Sequence, residues 1–194
     1  MRITILLTAA AMATLYAVQP AQAQDFTGPR VELNAGYDTT HNDDGVAATP
    51  NSLDGIRIGG AVGYDVAIGK GFTIGAEAGL GFNVSGSIDE QLGANKIRLT
   101  SGRDIDLSLR LGAIVAPRTL LFLKAGYANS EYRARSTVGS AVTKVSDDND
   151  GYRLGAGVEH MLNDHVYAKA EYRYTAYGDD VSRHQVLAGV GYRF

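Results

Sequence analysis

The stretch Val166-Tyr167-Ala168-Lys169-Ala170-Glu171-Tyr172-Arg173-Tyr174-Thr175 decides the fold. Val166, Ala168, Ala170, Tyr172 and Tyr174 alternate with Tyr167, Lys169, Glu171, Arg173 and Thr175. A period of two places small and apolar side chains on one face of a strand and charged ones on the other. Working outward, the same period recurs in seven further runs. Val31 to Asp38, Ile56 to Asp65, Phe72 to Asn83 and Ile105 to Ala113 each alternate in this way. Leu121 to Ala128, Tyr152 to Glu159 and Gln185 to Phe194 complete the set. The run from Leu121 is the least clean, because Phe122 stands on its polar face. A helical period fits none of them comparably, and eight amphipathic strands are predicted.

The connections alternate between long and short. Long polar segments fall at 38–54, 84–103 and 130–150, with a shorter one at 177–183. Short links fall near 67–71, 116–119 and 161–165. This rhythm predicts an up-and-down meander whose two ends face different surroundings. The long segments, rich in Asp, Asn, Ser, Thr and Gly, read as solvated loops. No further module is expected after the eighth strand.

Composition narrows the function. The chain has 194 residues and a net charge of -3, so it carries no basic footprint for nucleic acid. It has no cysteine, which excludes disulfides, thiolate metal sites and a nucleophilic thiol. Its amino-terminal segment reads as an address. Arg2 precedes an apolar run from Ile3 to Ala17, and Ala21-Gln22-Ala23 supplies the small residues of a cleavage site. A cleaved signal peptide is therefore expected at 1–23, leaving a barrel domain at 24–194. No later stretch is apolar for long enough to cross a bilayer as a helix, so any membrane role must be built from strands.

Alternation alone does not say which face is outside. In a soluble barrel the apolar face lines the cavity; in a membrane barrel it faces lipid. Three features favour lipid. The polar face is crowded with glycine (Gly59, Gly63, Gly75, Gly79, Gly81, Gly112, Gly126, Gly155, Gly157, Gly189 and Gly191), which suits a narrow interior and not a watered surface. Charges on that face nearly cancel. Arg57, Arg110, Lys124, Arg153, Lys169, Arg173 and Arg193 stand against Glu32, Asp65, Glu77, Asp106, Glu159 and Glu171, as enclosed charges require. Aromatic residues collect toward the ends of the apolar face, among them Tyr37, Tyr64, Phe72, Phe82, Tyr127, Tyr152, Tyr172, Tyr174 and Tyr192. The expected architecture is all-β: an eight-stranded antiparallel up-and-down transmembrane barrel.

The chain ends on Gly189-Val190-Gly191-Tyr192-Arg193-Phe194. Gly189, Tyr192 and Phe194 resemble the carboxy-terminal signal read by the barrel assembly machinery, with Leu187 where that pattern tends to carry a polar residue. Over 24–194 the chain resembles the porin-family or OmpA-like β-barrel domains, including the opacity-type surface proteins. The resemblance implies an outer-membrane location with both termini periplasmic, and contact with outer-membrane lipid and lipopolysaccharide. It also implies an extracellular ligand reached through 38–54, 84–103 and 130–150. No cell-wall tether is expected.

Three functions follow from these readings. The first is a structural and surface-interaction barrel whose bore is filled by paired charges: Glu32, Arg57, Glu77, Asp106, Arg110, Lys124, Arg153, Glu159, Lys169, Glu171 and Arg173, with Glu77 meeting Arg110 across neighbouring strands. The second is a narrow diffusion pore. The third, resembling barrels that edit lipid A, is an enzyme using Ser182, His184 and Asp180. His184 is read instead as an interfacial polar residue, and no ordered triad or catalytic motif supports chemistry. Asp43, Asp44, Asp147, Asp148 and Asp150 are read as solvated loop acids, lacking the spacing of a calcium loop. His160 and His165 bracket a turn and are too isolated for a metal site. No cofactor, metal or catalytic activity is expected.

Overall fold

A computed structural model describes residues 26–42, 52–84, 87–92, 95–138, 141–177 and 181–194. The expected signal segment 1–23 lies outside these residues, as do Asp43, Asp44 and Asp180. Almost everything described is strand: β1 (Gly28–Asn42), β2 (Ser52–Ala67), β3 (Phe72–Asn83), β4 (Ser87–Leu92), β5 (Asn95–Ala116), β6 (Thr119–Val138), β7 (Ala141–Met161), β8 (Val166–Tyr177) and β9 (Val181–Arg193). Apart from β3 and β4, chain neighbours pair antiparallel; β3 pairs with β5, and β1 pairs with β9. That last pairing closes the sheet into a ring of eight, with β4 lying on β5 beyond it. Closure leaves no open edge within the ring, so every ladder hydrogen bond is made without water.

The faces are assigned as the composition of the polar face implied. Leu33 and Leu107 point outward and are 75% and 65% exposed, while Glu77 and Arg110 are each 2% exposed. The outward band continues through Ile58, Val62, Leu80, Leu109, Leu123, Leu154 and Val190. No aqueous barrel would turn that band to its solvent and enclose its arginines, because both choices cost free energy in water. The polar positions alternate inward along each strand, as in the repeating buried-exposed pattern of β3.

The long segments depart from expectation. Much of 84–103 and 130–150 is strand, not loop. β5, β6 and β7 contain 22, 20 and 21 residues, whereas a tilted crossing of the hydrocarbon needs ~9–11. β4 is a ninth strand that the reading did not foresee. The β6–β7 ladder runs unbroken from Thr119 paired with His160 to Val138 paired with Ala141. These extensions are rich in polar residues, and their alternations, such as Lys96-Ile97-Arg98-Leu99 and Tyr132-Arg133-Ala134-Arg135, are short, so their composition reads as loop. Backbone pairing along the whole hairpin carries the strand. Between Ser101 and Asp104 the β5–β6 register shifts, with Gly102 and Arg103 opposite Glu131 alone. This bulge marks where the barrel wall passes into the extension.

At the other end the turns are tight. Gly69 and Gly71 take positive φ of 71° and 87° between β2 and β3, and Arg118 takes 65° after Pro117 between β5 and β6. The first and last described residues lie at this same short-turn end.

Candidate functional site

Because inward positions recur every second residue on all eight staves, the bore fills with whatever the polar face carries. Among the described residues, nine cations and eight carboxylates are buried there. Thirteen of these seventeen belong to the charges counted on the polar face above. Arg30, Asp38, Asp104 and Arg183 are additional. They stand just beyond the clean alternating runs, in positions read as loop or strand margin. Continued alternation past the last outward apolar residue is the signal that would have found them.

The charges form three connected levels. Toward the long hairpins, Asp104 takes Arg57 and receives Arg153 Nη2 at 2.9 Å, while Arg153 Nη1 donates to Asp106 at 2.9 Å. Arg183 pairs with Asp38 at the same level. At mid-bore, Lys124 Nζ bridges Glu77 at 2.6 Å and Glu171 at 2.7 Å. Lys169 Nζ bridges Glu32 at 2.6 Å and Glu171 at 2.7 Å, and Arg173 Nε donates to Glu171 at 2.7 Å. Toward the short turns, Arg30 reaches Asp65 at 3.0 Å and Glu77 at 2.8 Å. There Arg110 meets Glu159 at 2.7 Å, and Arg193 meets Asp65 at 3.0 Å and Glu159 at 3.3 Å. Arg110 also lies over the Phe122 ring at 4.1 Å. Most of these ions share two or more counter-ions, which offsets the several kcal/mol that an isolated buried charge costs.

All eleven charges expected in the bore are therefore buried in it, and the ion pairs link them. The expected partnership of Glu77 with Arg110 is not the one made. β3 does neighbour β5, but Glu77 stands opposite Ser108, and Arg110 stands opposite Gly75. Both side chains reach across the bore instead, Arg110 to Glu159 on β7 and Glu77 to Lys124 on β6 and Arg30 on β1. Glycine makes room for this. A Cβ at Gly79 would stand 2.6 Å from an Asp106 carboxylate oxygen, and one at Gly155 would stand 2.8 Å from Lys124.

The other residues singled out have ordinary partners. His160 Nδ1 lies 3.0 Å from Thr119 Oγ1, and His165 Nδ1 lies 3.0 Å from the Arg193 carbonyl. His184 Nδ1 lies 2.6 Å from the Tyr172 hydroxyl. Asp148 faces Arg103 at 3.9 Å, and Asp150 accepts from Asn129 at 2.8 Å. Among the described residues, no three His, Asp or Glu side chains converge as metal ligands. In the carboxy-terminal run, Gly189 pairs with Lys169, and Tyr192 points outward, stacked on His165 with ring centroids 5.3 Å apart. Phe194 packs edge-on to Tyr192 at 4.9 Å. Leu187, where a polar residue was the expected pattern, is buried opposite Gly36 and fills the space that this glycine leaves.

A recurring outward contact also escaped the sequence. Tyr37 bonds Asp54, Tyr127 bonds Asp150, and Tyr172 bonds His184. These tyrosines stand opposite Ile56, Tyr152 and Val186. In each case the polar partner is two residues nearer the long hairpins on the next strand. The hydroxyls thus face the polar side and the rings the apolar band, the orientation favoured at a headgroup boundary.

Comparison with known proteins agrees with this geometry. The family model described as outer membrane protein beta-barrel domain matches residues 8–194. The 31 kDa outer-membrane immunogenic protein of Brucella melitensis is 26% identical, with the match covering 90% of this chain and 86% of that protein. The 25 kDa outer-membrane immunogenic protein of Brucella ovis is 30% identical over 50% of this chain, a match spanning only 46% of that protein. Among solved structures, Neisserial surface protein A superposes with a TM-score of 0.57 at 18% identity, covering 87% of this chain and 98% of that one. This last likeness speaks to fold alone.

Proposed function

This chain belongs to the outer membrane protein β-barrel family, and we propose that within the outer membrane it serves as a structural, surface-displaying barrel whose bore does not conduct. The observation that carries this reading is the set of seventeen buried charges among the described residues, whose ion pairs span the bore from wall to wall. Eight strands leave an interior that side chains fill. Opening a path would separate several buried pairs at once, each at a cost of ~3–5 kcal/mol. The strand extensions of β4 to β7, together with the long segment 38–54, then form the face offered to the exterior. Lipopolysaccharide and an extracellular ligand are the partners this reading assigns to that face. The barrel assembly machinery is assigned to Gly189, Tyr192 and Phe194. No catalytic role is proposed. His184 is engaged by a tyrosine at the apolar boundary, as a positioned interfacial residue would be.

The test is electrical. Purified protein inserted into planar bilayers should give no steady ion current at moderate voltage. Sustained, reproducible conductance would overturn the reading in favour of a narrow pore.

A further inference from the structure

Below the last ion pairs the short-turn end of the bore turns apolar. Phe26, Ile114, Leu120, Met161 and Tyr167 form one buried apolar cluster there. Ile114, Leu120, Met161 and Tyr167 come from the ends of β5, β6, β7 and β8 at inward positions. Phe26 comes from the segment before β1. Each is at most 8% exposed. The chain is steered inward by Gly28, whose φ of 97° is open to glycine at little cost. A Cβ at Gly28 would stand 2.8 Å from the Phe194 carbonyl oxygen, so a larger residue has no room. Arg193 Nη1 donates to the Phe26 carbonyl at 2.9 Å and so ties the segment to β9. Tyr167 roofs the cluster, its hydroxyl turned up toward Glu32 at 3.3 Å. Its ring lies over Gly191, directly opposite on β9, where a Cβ would collide with it.

We propose that this cluster is a binding cup whose ligand is the chain's own amino-terminal aromatic residue. Phe26 seats in it once the strands close, and seals the bore at the short-turn end. Four apolar side chains at inward positions have no use in a polar channel, since they give water and ions nothing to bond. They do suit a phenyl ring, which buries ~150–250 Å² and gains most where its surroundings are dry. The seal adjoins the ion pairs through Arg193, which bonds the Phe26 carbonyl and lies over the Tyr167 ring at 5.7 Å. Above it the charges fill the bore; below them the cup excludes water from Arg193, Asp65 and Glu159. A solute entering among the long hairpins therefore meets a blind end. Any through-path requires the segment at Phe26 to leave, whatever the ion pairs do.

Because the chain has no native cysteine, thiol labelling reads the cup directly. In the folded protein in micelles, Met161→Cys, with the Phe26 ring in place, should react with a small charged thiosulfonate at least about tenfold more slowly than Asn163→Cys in the nearby exposed turn. Met161→Cys should lose that protection when combined with Phe26→Ala but keep it with Phe26→Leu. Heat-modifiable gel mobility verifies that each variant is folded. Met161→Cys labelling as fast as Asn163→Cys would overturn the proposal, as would Met161→Cys reacting equally with and without the Phe26 ring. The first comparison stands even if Phe26→Ala fails to fold. Steady conductance with Met161→Cys exposed would count against the charge-filled bore and the seal together, whereas conductance with Met161→Cys still protected would overturn the seal, because ions would then pass with the ring in place.

Discussion

Arg110 is the ion whose removal separates the partnership read from strand adjacency from the one made across the bore. Its guanidinium lies 2.7 Å from Glu159 and 3.8 Å from Asp65, and stacks on Phe122 at 4.1 Å. Arg110→Met keeps the bulk and removes the charge. Breaking one member of a buried pair costs ~3–5 kcal/mol. Glu159 retains Arg193 at 3.3 Å, which favours the lower part of that range. Loss of a desolvated cation–ring contact adds up to ~2 kcal/mol, and a methionine thioether on the same ring returns ~0.3–1.5 kcal/mol. The expected net loss is about 3–4 kcal/mol. Adding Glu159→Gln should recover ~2 kcal/mol, because the uncompensated carboxylate is then gone. Pairing Arg110→Met with Glu77→Gln should show coupling smaller by at least about 1 kcal/mol, since Glu77 is held by other cations. The chain contains no tryptophan, so the fraction folded is read across a urea series in micelles from the mobility of unboiled samples, with circular dichroism as a check. Unchanged unfolding of Arg110→Met would refute the argument. So would stronger coupling of Arg110 to Glu77 than to Glu159.

Other substitutions test the remaining parts of the barrel. Leu107→Arg, on the outward face near the middle of β5, should lower stability by ~2–4 kcal/mol in lipid vesicles; equal folding would deny that lipid touches this face. Gly191→Ala drives a methyl into the Tyr167 ring and should cost ~1–3 kcal/mol in the native chain, but little further when Tyr167→Ala is already present. Tyr172→Phe removes the hydrogen bond to His184 and should cost ~0.5–1.5 kcal/mol, with Tyr174→Phe as the control.

The architecture was legible where alternation was strong. Runs such as Val166 to Thr175 state both strand and facing, and the glycines between Gly59 and Gly191 state that the polar face is crowded. Legibility failed where alternation faded. The extensions beyond Asn83 and Ser130 pair through their backbones but are rich in polar residues with only short alternations such as Lys96-Ile97-Arg98-Leu99, and so they read as loops. The untidy run at Leu121 was itself a signal. Leu120 and Phe122 are apolar at inward positions, since that end of the bore is dry, with the Phe26 cup at Leu120. Phe26 was hidden for another reason: a lone aromatic ahead of the first strand has no periodic neighbours.

The sequence by itself determined the period, the segregation of apolar from charged faces and the near-balance of enclosed charge. Each of these is a property of residues within one strand. Only the closed ring decided which cation meets which carboxylate. Arg183 and Asp38 are separated by 145 residues, and Arg193 and Phe26 by 167. Such partners are chosen by register around the barrel and by side-chain reach across its narrow bore. Neither quantity exists until β9 has paired with β1.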